Sequence, residues 1–468
     1  MIEFILGNNI EVMAGMPENY FHSIVTDPPY GLGQEPDPVE VMKAWTESGH
    51  YDVKNKSGFM GKQWDAFVPQ PAMWKQAFRI LRPGGHMLVA CGTRTVDWMA
   101  MSIRFGGFEI RDIITWHYGS GFPKSLNISK EIDKQLGAER KVIGEGKPVK
   151  RIIPGADQEK TGSWLKDNGR EFVPTLTEAA SEEAKQHDGW GTGLKPATEM
   201  WILCRKPISE PTITLNVLKW GTGGINIDES RIETLDSTLR ENKGVEWGNR
   251  KDEYYENNKP KVFGSELGRY PANVILDEFS SEIMDDQAPE AGGCAPVNSG
   301  YNGDSRGIFG DFNQKGGGPF YNEDLSGASR FFYCAKPSQS ERNKGLEKMG
   351  RSKDVLCQTC QMLIIKNFQY KDVPGICYCE NPVPMPPTGR NMHPTVKPVK
   401  LMRYLVKMIT PKGGICLDMH NGSGTTGIAC DEEGFDYKGI DNEKEYIEIS
   451  KLRAAAWQKE RDTQLKLL

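Results

Sequence analysis

The sequence predicts an α/β fold, a mostly parallel sheet covered on both faces and interrupted by a large irregular insertion. Three observations predict it. Strand and helix signals alternate at both ends of the chain. The strand runs end in Pro- or Gly-rich turns. Between about 120 and 390, periodicity fades and Gly, Asn, Asp and Pro accumulate.

The elements follow in order. Ile2–Leu6 reads as a short strand and Ile10–Met16 as a helix behind Asn8 and Asn9. Ser23-Ile24-Val25-Thr26 is a β-rich run that stops at Asp27-Pro28-Pro29-Tyr30. Pro71–Leu81 has helical spacing and ends at Pro83-Gly84-Gly85. His86–Cys91 reads as a buried strand, Val96–Phe105 as a helix and Phe108–His117 as a strand. The C-terminal end repeats the grammar: helix Pro398–Ile409, strand Gly414–Asp418, a glycine turn, a helix through Glu433, strand Tyr437–Asp441 and a last helix from Glu443. Gly434 supplies the C-cap signal between the two units. One echo links Trp201-Ile202-Leu203-Cys204-Arg205-Lys206-Pro207 to Phe331-Phe332-Tyr333-Cys334-Ala335-Lys336-Pro337. The expected organisation is a catalytic half at 1–206, an insertion at 207–390 and a second half at 391–468.

Composition narrows the class. A chain of 468 residues suits two to three domains, or one large fold with an insertion. The 51 Gly and 29 Pro imply many loops but are too dispersed for collagen. No apolar run approaches the ~20 residues of a membrane helix, and the start lacks a signal peptide's basic head, so no membrane association and a cytoplasmic location are expected. A net charge of −5 excludes a histone-like polycation. It leaves room for a local basic face at Arg390, Lys397, Lys400, Arg403, Lys407 and Lys412, although a solvated helix face reads equally well.

Asp27-Pro28-Pro29-Tyr30 is the first chemical motif. Consecutive prolines remove two backbone donors and stiffen the turn. The Asp27 carboxylate and the Pro28 carbonyl can accept hydrogens from an exocyclic amine, while the Tyr30 ring offers a face to a heterocycle. Such an amine is a poor nucleophile because its lone pair is delocalised. Two acceptors around it favour a more tetrahedral nitrogen and localise that pair. The second motif is Leu417-Asp418-Met419-His420-Asn421-Gly422-Ser423-Gly424-Thr425-Thr426-Gly427. Gly422 and Gly424 let a backbone approach a ligand, and the following helix start suits a carboxylate. Asp441 ends the next strand about 20 residues on, where a carboxylate can accept from ribose hydroxyls. By itself this pattern fits any adenosine-containing cofactor.

Together the two motifs resemble those of the DNA amino-methyltransferases, which methylate adenine N6 or cytosine N4 with S-adenosylmethionine. The tetrapeptide precedes the cofactor turn, the order of the beta class. The resemblance implies a Rossmann-like, circularly permuted methyltransferase fold with Asp27, Pro28, Pro29 and Tyr30 as catalytic residues. His393-Pro394-Thr395-Val396-Lys397-Pro398 is similar to the segment that contacts the cofactor's methionine end. The implied cofactor residues are thus Thr395, Lys397, Asp418, His420, Gly422, Ser423, Gly424, Thr425 and Asp441. Segments 116–125, 191–197 and 269–275 look like the phage and mobile-element branch. One position departs: family members usually carry Asp-Pro-Phe where this chain has Asp418-Met419-His420. The resemblance casts His420 as a partial loss of an aromatic contact that phenylalanine would restore.

Cys357-x2-Cys360 and Cys377-x-Cys379 form two close pairs sixteen residues apart. Four thiolates so spaced suit a structural zinc ion; free thiols or a redox pair are the alternative. The resemblance implies methyl transfer to adenine N6 in double-stranded DNA after base flipping, with 207–390 reading the target. Asp27 favours adenine, since N4-cytosine members more often carry Ser there. Alternatives are N4-cytosine transfer by the same residues, an RNA or protein amide substrate, or a DNA-binding relative inactivated through His420. No nuclease motif is present, so a restriction endonuclease partner would be a separate chain.

Overall fold

The computed structural model describes residues 1–53, 65–119, 125–146, 149–150, 171–234, 240–242, 261–263, 265–288, 327–335, 344–346, 355–356, 363–364 and 396–465. The chain divides into two compact units. The larger comprises 1–118, 198–391 and 396–468; the smaller comprises 119–197 and 392–395. These boundaries differ from those expected at 206/207 and 390/391.

The larger unit is built on one sheet of nine strands: β1 (Ile2–Leu6), β2 (Phe21–Thr26), β3 (Leu81–Gly92), β4 (Glu109–His117), β5 (Thr198–Arg205), β6 (Val274–Asp277), β7 (Tyr333–Ala335), β8 (Ile415–Asp418) and β9 (Asp436–Asp441). Their spatial order is β1-β9-β8-β2-β3-β5-β4-β6-β7. Every pairing is parallel except those of β5, which runs antiparallel to both β3 and β4. Strands from the end of the chain therefore slot between strands from its beginning, as circular permutation requires. The two echo segments occupy unlike places, β5 in the sheet interior and β7 at its edge.

Alternation along the strands explains the two covered faces. Ile24, Met87, Val89, Ile202 and Leu417 pack with α1 (Asn9–Ala14), α2 (Pro38–Glu47), α3 (Pro71–Ile80) and α4 (Val96–Phe105). Val25, Leu88, Ala90, Trp201, Leu203 and Cys416 face the other way, against α7 (Val399–Ile409) and α8 (Thr425–Glu432). Helices α5 (Ile213–Trp220), α6 (Glu278–Gln287) and α9 (Lys444–Leu465) complete the labelled set. Pro83-Gly84-Gly85 lies within β3, where its register against β2 shifts, rather than ending the strand before it begins.

In the smaller unit, Asn127 caps the helix Ile128–Gln135. Asp133 of that helix is buried and accepts from Arg140 Nη1, the Ala180 and Ser181 amides and Ser181 Oγ. The expected basic face is divided: Lys400 and Lys412 are exposed, while two of its members are engaged within the larger unit. Arg403 pairs with Glu432 at 3.0 Å and Glu433 at 2.6 Å, and Lys397 is buried. Arg390 lies outside the described residues. Among the described residues no helix is long and apolar enough to cross a membrane.

Candidate active site

Parallel strands β2 and β8 are neighbours, with Leu417 beside Ile24 and Cys416 beside Ser23. Their carboxyl ends therefore deliver Asp27 and the glycine turn to one place, although about 390 residues separate them in sequence. Thr26 and Asp418 lock the junction: Thr26 Oγ1 donates to Asp418 Oδ1 at 2.8 Å, and Thr426 Oγ1 donates to Oδ2 at 2.6 Å. Asp418 also accepts from the His420 amide at 3.0 Å. Burial nevertheless pushes its pKa up to about 6, with Asp27 adding to the rise. Asp418 is thus a brace between strands.

At the β2 end the chain stops pairing where Pro28 and Pro29 have no N–H to give. The Tyr30 ring lies over Gly92 at the end of β3; a Cβ there would stand 3.3 Å from Tyr30 Cδ2. Gly31 has φ +69°, and a Cβ on it would strike the Val68 nitrogen at 2.5 Å, so the turn leaves through a position suited to glycine.

Lys397 sits on this turn rather than on the glycine turn. Its Nζ is 2.9 Å from Asp27 Oδ2, 3.1 Å from Glu199 Oε2 and 3.1 Å from Tyr30 Oη. The ammonium donates to Tyr30 Oη and forms ion pairs with the two carboxylates. Burial disfavours the charged form, but Asp27 and Glu199 outweigh it and hold the Lys397 pKa above its ordinary value. Burial, Asp27 and Glu199 together raise the Tyr30 phenol well above its usual range, so it stays protonated.

The glycine turn is fastened from beneath by α9. Arg453, fully buried, donates to the Ser423 carbonyl at 2.6 Å and to Ser423 Oγ and Thr425 Oγ1 at 3.0 Å. Ser450 Oγ bonds the Gly422 carbonyl at 3.1 Å, and a Cβ on Gly424 (φ +76°) would meet Ser450 Cβ at 2.7 Å. The hydroxyls of Ser423 and Thr425 therefore hold the turn's shape. Asp441 accepts the Gly422 amide at 2.8 Å and the Glu443 amide at 2.9 Å. The Asn442 amide adds a third donor, and the carboxylate keeps acceptor capacity for a ribose hydroxyl. The start of α8 at Gly424 has no side-chain cap, leaving amides for a carboxylate. This donor and acceptor set fits an adenosyl amino-acid cofactor.

His420 corrects the expectation of a lost aromatic. The Asn9 Nδ2 that donates to the Met419 carbonyl at 3.3 Å also stands 3.1 Å from His420 Nε2. Asn9 therefore donates to Nε2, which leaves the proton on Nδ1, 3.2 Å from Thr26 Oγ1. Burial lowers the His420 pKa to about 4 against a small opposing pull from Asp27, so the ring is neutral. Both nitrogens are used: the imidazole is a polar link from α1 to Thr26, a role phenylalanine cannot fill.

Of the residues named from sequence, Thr395 and the cysteines Cys357, Cys360, Cys377 and Cys379 lie outside the described residues. Among the described residues no cluster of His, Cys, Asp or Glu is arranged to hold a metal ion. Sequence reasoning missed Glu199, Thr26, Asn9, Gly92, Ser450 and Arg453. Glu199 had a weak signal, an acidic residue at the head of the apolar run Met200–Cys204.

A family model described as DNA methylase, for N6/N4 methyltransferases, matches residues 21–452. Type II methyltransferase M2.DpnII of Streptococcus pneumoniae is 42% identical over 64 residues, 14% of this chain and 24% of that protein. Type II methyltransferase M2.MboI of Moraxella bovis is 44% identical over 61 residues, 13% of this chain and 22% of that protein. The matches span about a quarter of the length of these curated relatives. The solved PvuII DNA methyltransferase, described as cytosine-N4-specific, aligns over 96% of this chain and 85% of its own, with 12% identity and a TM-score of 0.38. With 21–452 matched and both motifs converging at the ends of β2 and β8, the chain belongs to the N6/N4 DNA methylase family.

Proposed function

We propose that this protein transfers a methyl group from S-adenosylmethionine to the N6 amine of adenine in double-stranded DNA. The observation that carries this reading is the junction of Asp27-Pro28-Pro29-Tyr30 with the glycine turn through Thr26 and Asp418. When bound, the cofactor supplies an electrophilic methyl on a cationic sulfur. Asp441 would hold the ribose, and the amides at the start of α8 would hold a carboxylate. The Asp27 carboxylate and the Pro28 carbonyl would orient the amine, and the Tyr30 ring would carry the base. The target atom is inaccessible inside a duplex, so the base must be flipped out of the stack.

Asp27 supports adenine over cytosine, and the relatives named as Type II methyltransferases support a role in restriction-modification. Target recognition is assigned to 207–390. The separate unit at 119–197, with Trp190 and Leu194 exposed, is a second candidate for contacting DNA. The test is expression in a methylation-free host followed by sequencing with modification detection. N6-methyladenine at one recurring sequence is the expected result. N4-methylcytosine would replace the base assignment, and unmodified DNA would sink the reading.

A further inference from the structure

The ion cluster at the tetrapeptide turn has an unequal charge count. Lys397 brings one positive charge to two carboxylates, Asp27 and Glu199, at 2.9 and 3.1 Å. All three groups are largely shielded, with Lys397 8%, Asp27 18% and Glu199 19% exposed. Glu199 reaches the cluster from β5, where it pairs with Gly92 of β3 and Trp116 of β4. Gly92 is the residue under the Tyr30 ring, so Glu199 belongs to the wall of the same site. Asp27 and Lys397 alone would be neutral; with Glu199 the cluster carries one net negative charge.

We infer that Glu199 is a positioning residue that acts through Lys397, fixing Asp27 and holding the site at one net negative charge so that it favours a cationic methyl donor over its neutral product. The inference rests on the methyl-transfer reading. In that transfer the nitrogen lone pair forms the N–C bond while the C–S bond breaks, its electrons passing to sulfur. The positive charge moves from sulfur to the amine nitrogen, which then loses a proton to solvent water. A net negative site stabilises the charge along this path. Once the neutral thioether remains, that attraction ends and release is eased.

The test is isothermal titration of the full chain with S-adenosylmethionine and with S-adenosylhomocysteine, which differ by the methyl group and the charge. Glu199→Gln keeps the side chain's size and an oxygen for Lys397. It should weaken S-adenosylmethionine binding about fivefold or more and change S-adenosylhomocysteine binding by less than about twofold. Glu199→Ala should shift the ratio in the same direction, and Glu199→Asp should keep it near wild type. Ratios that follow charge rather than size support the inference. A Gln variant with the wild-type ratio, equal loss of both ligands, or neutral variants that fail to fold by circular dichroism would each overturn it, the last two by making the carboxylate structural. If wild-type protein binds neither ligand, the methyl-transfer reading itself fails, an outcome distinct from an unchanged ratio.

Discussion

The two turns that meet at the ends of β2 and β8 are held by different physics. The tetrapeptide turn is held by charge: two carboxylates and a phenol around one ammonium. The glycine turn is held by hydrogen bonds that engage the hydroxyls of Ser423, Thr425 and Ser450, with Arg453 at their centre. Charge keeps the first turn electrically responsive to what enters. Hydrogen bonds keep the second in one shape and leave Asp441 and the uncapped start of α8 for a ligand. One side of the site is tuned for reaction, the other for recognition.

Substitutions can break each side separately. The largest effect is expected at Asp27. Asp27→Ala removes the charged acceptor and should lower the methyl-transfer rate on the order of a thousandfold, leaving S-adenosylhomocysteine affinity within roughly tenfold. Single-turnover rates beside calorimetric binding would check the split; near wild-type turnover would remove Asp27 from the chemistry.

Arg453→Met should do the opposite. It removes the two Nη1 donors shared among three acceptors under the glycine turn, at a cost of about 2 kcal/mol, and cofactor binding should fall with stability. Denaturant unfolding and titration of the same preparation would reveal it. Loss of turnover with intact binding would contradict the assignment of Arg453 to the recognition side.

Acid should weaken the fold that carries both sides. Burial lowers the pKa values of His86 and His420 to about 4. Both are neutral in the fold and take up a proton more readily when unfolded. Their contribution is present above about pH 6.5 and is lost as pH falls toward 4, about 2 kcal/mol each by pH 5. Asp418 works the other way: its pKa is raised to about 6, so it favours the folded state as pH falls through that value. Urea unfolding between pH 7 and 5 should show a net loss, smaller in His86→Gln. A flat profile would mean that these rings are not held neutral.

The smallest effect is expected from His420→Phe. Asn9 and Thr26 would each lose a partner, costing about 1 to 2 kcal/mol and slightly weakening cofactor binding. Tighter binding by this variant would restore the reading of His420 as a degraded aromatic contact.

Much of the fold was legible because its strands carry apolar runs closed by Pro or Gly. β2, the core of β3, β4 and β8 follow that rule; β9 was legible instead from Gly434 before it and Asp441 at its end. Helix α2 was missed although Asp37 caps it and Pro38 opens it. Strands β6 and β7 have four and three residues, too short for periodicity, and exist because β4 offers an edge to β6 and β6 in turn to β7. In the site, the backbone-forming residues were readable from their types. Glu199, Asn9 and Arg453 were not, because each matters through a partner brought close by the fold rather than by spacing. Lys397 was singled out through a segment that pointed to the cofactor, and its contact with Asp27 could not be read from spacing.

The strand order also sets a timetable for biosynthesis. β1 pairs with β9, which is made about 430 residues later. At ribosomal rates of about 5–20 residues per second, that wait is roughly 20 to 90 s. β2 meets β3 early, but its other edge stays open until β8 emerges. The nascent chain therefore carries an unpaired edge and an incomplete cofactor face for most of its synthesis. The tetrapeptide is made early, but Lys397, the ammonium that holds it, follows about 370 residues later, so both turns are completed only with the last part of the chain.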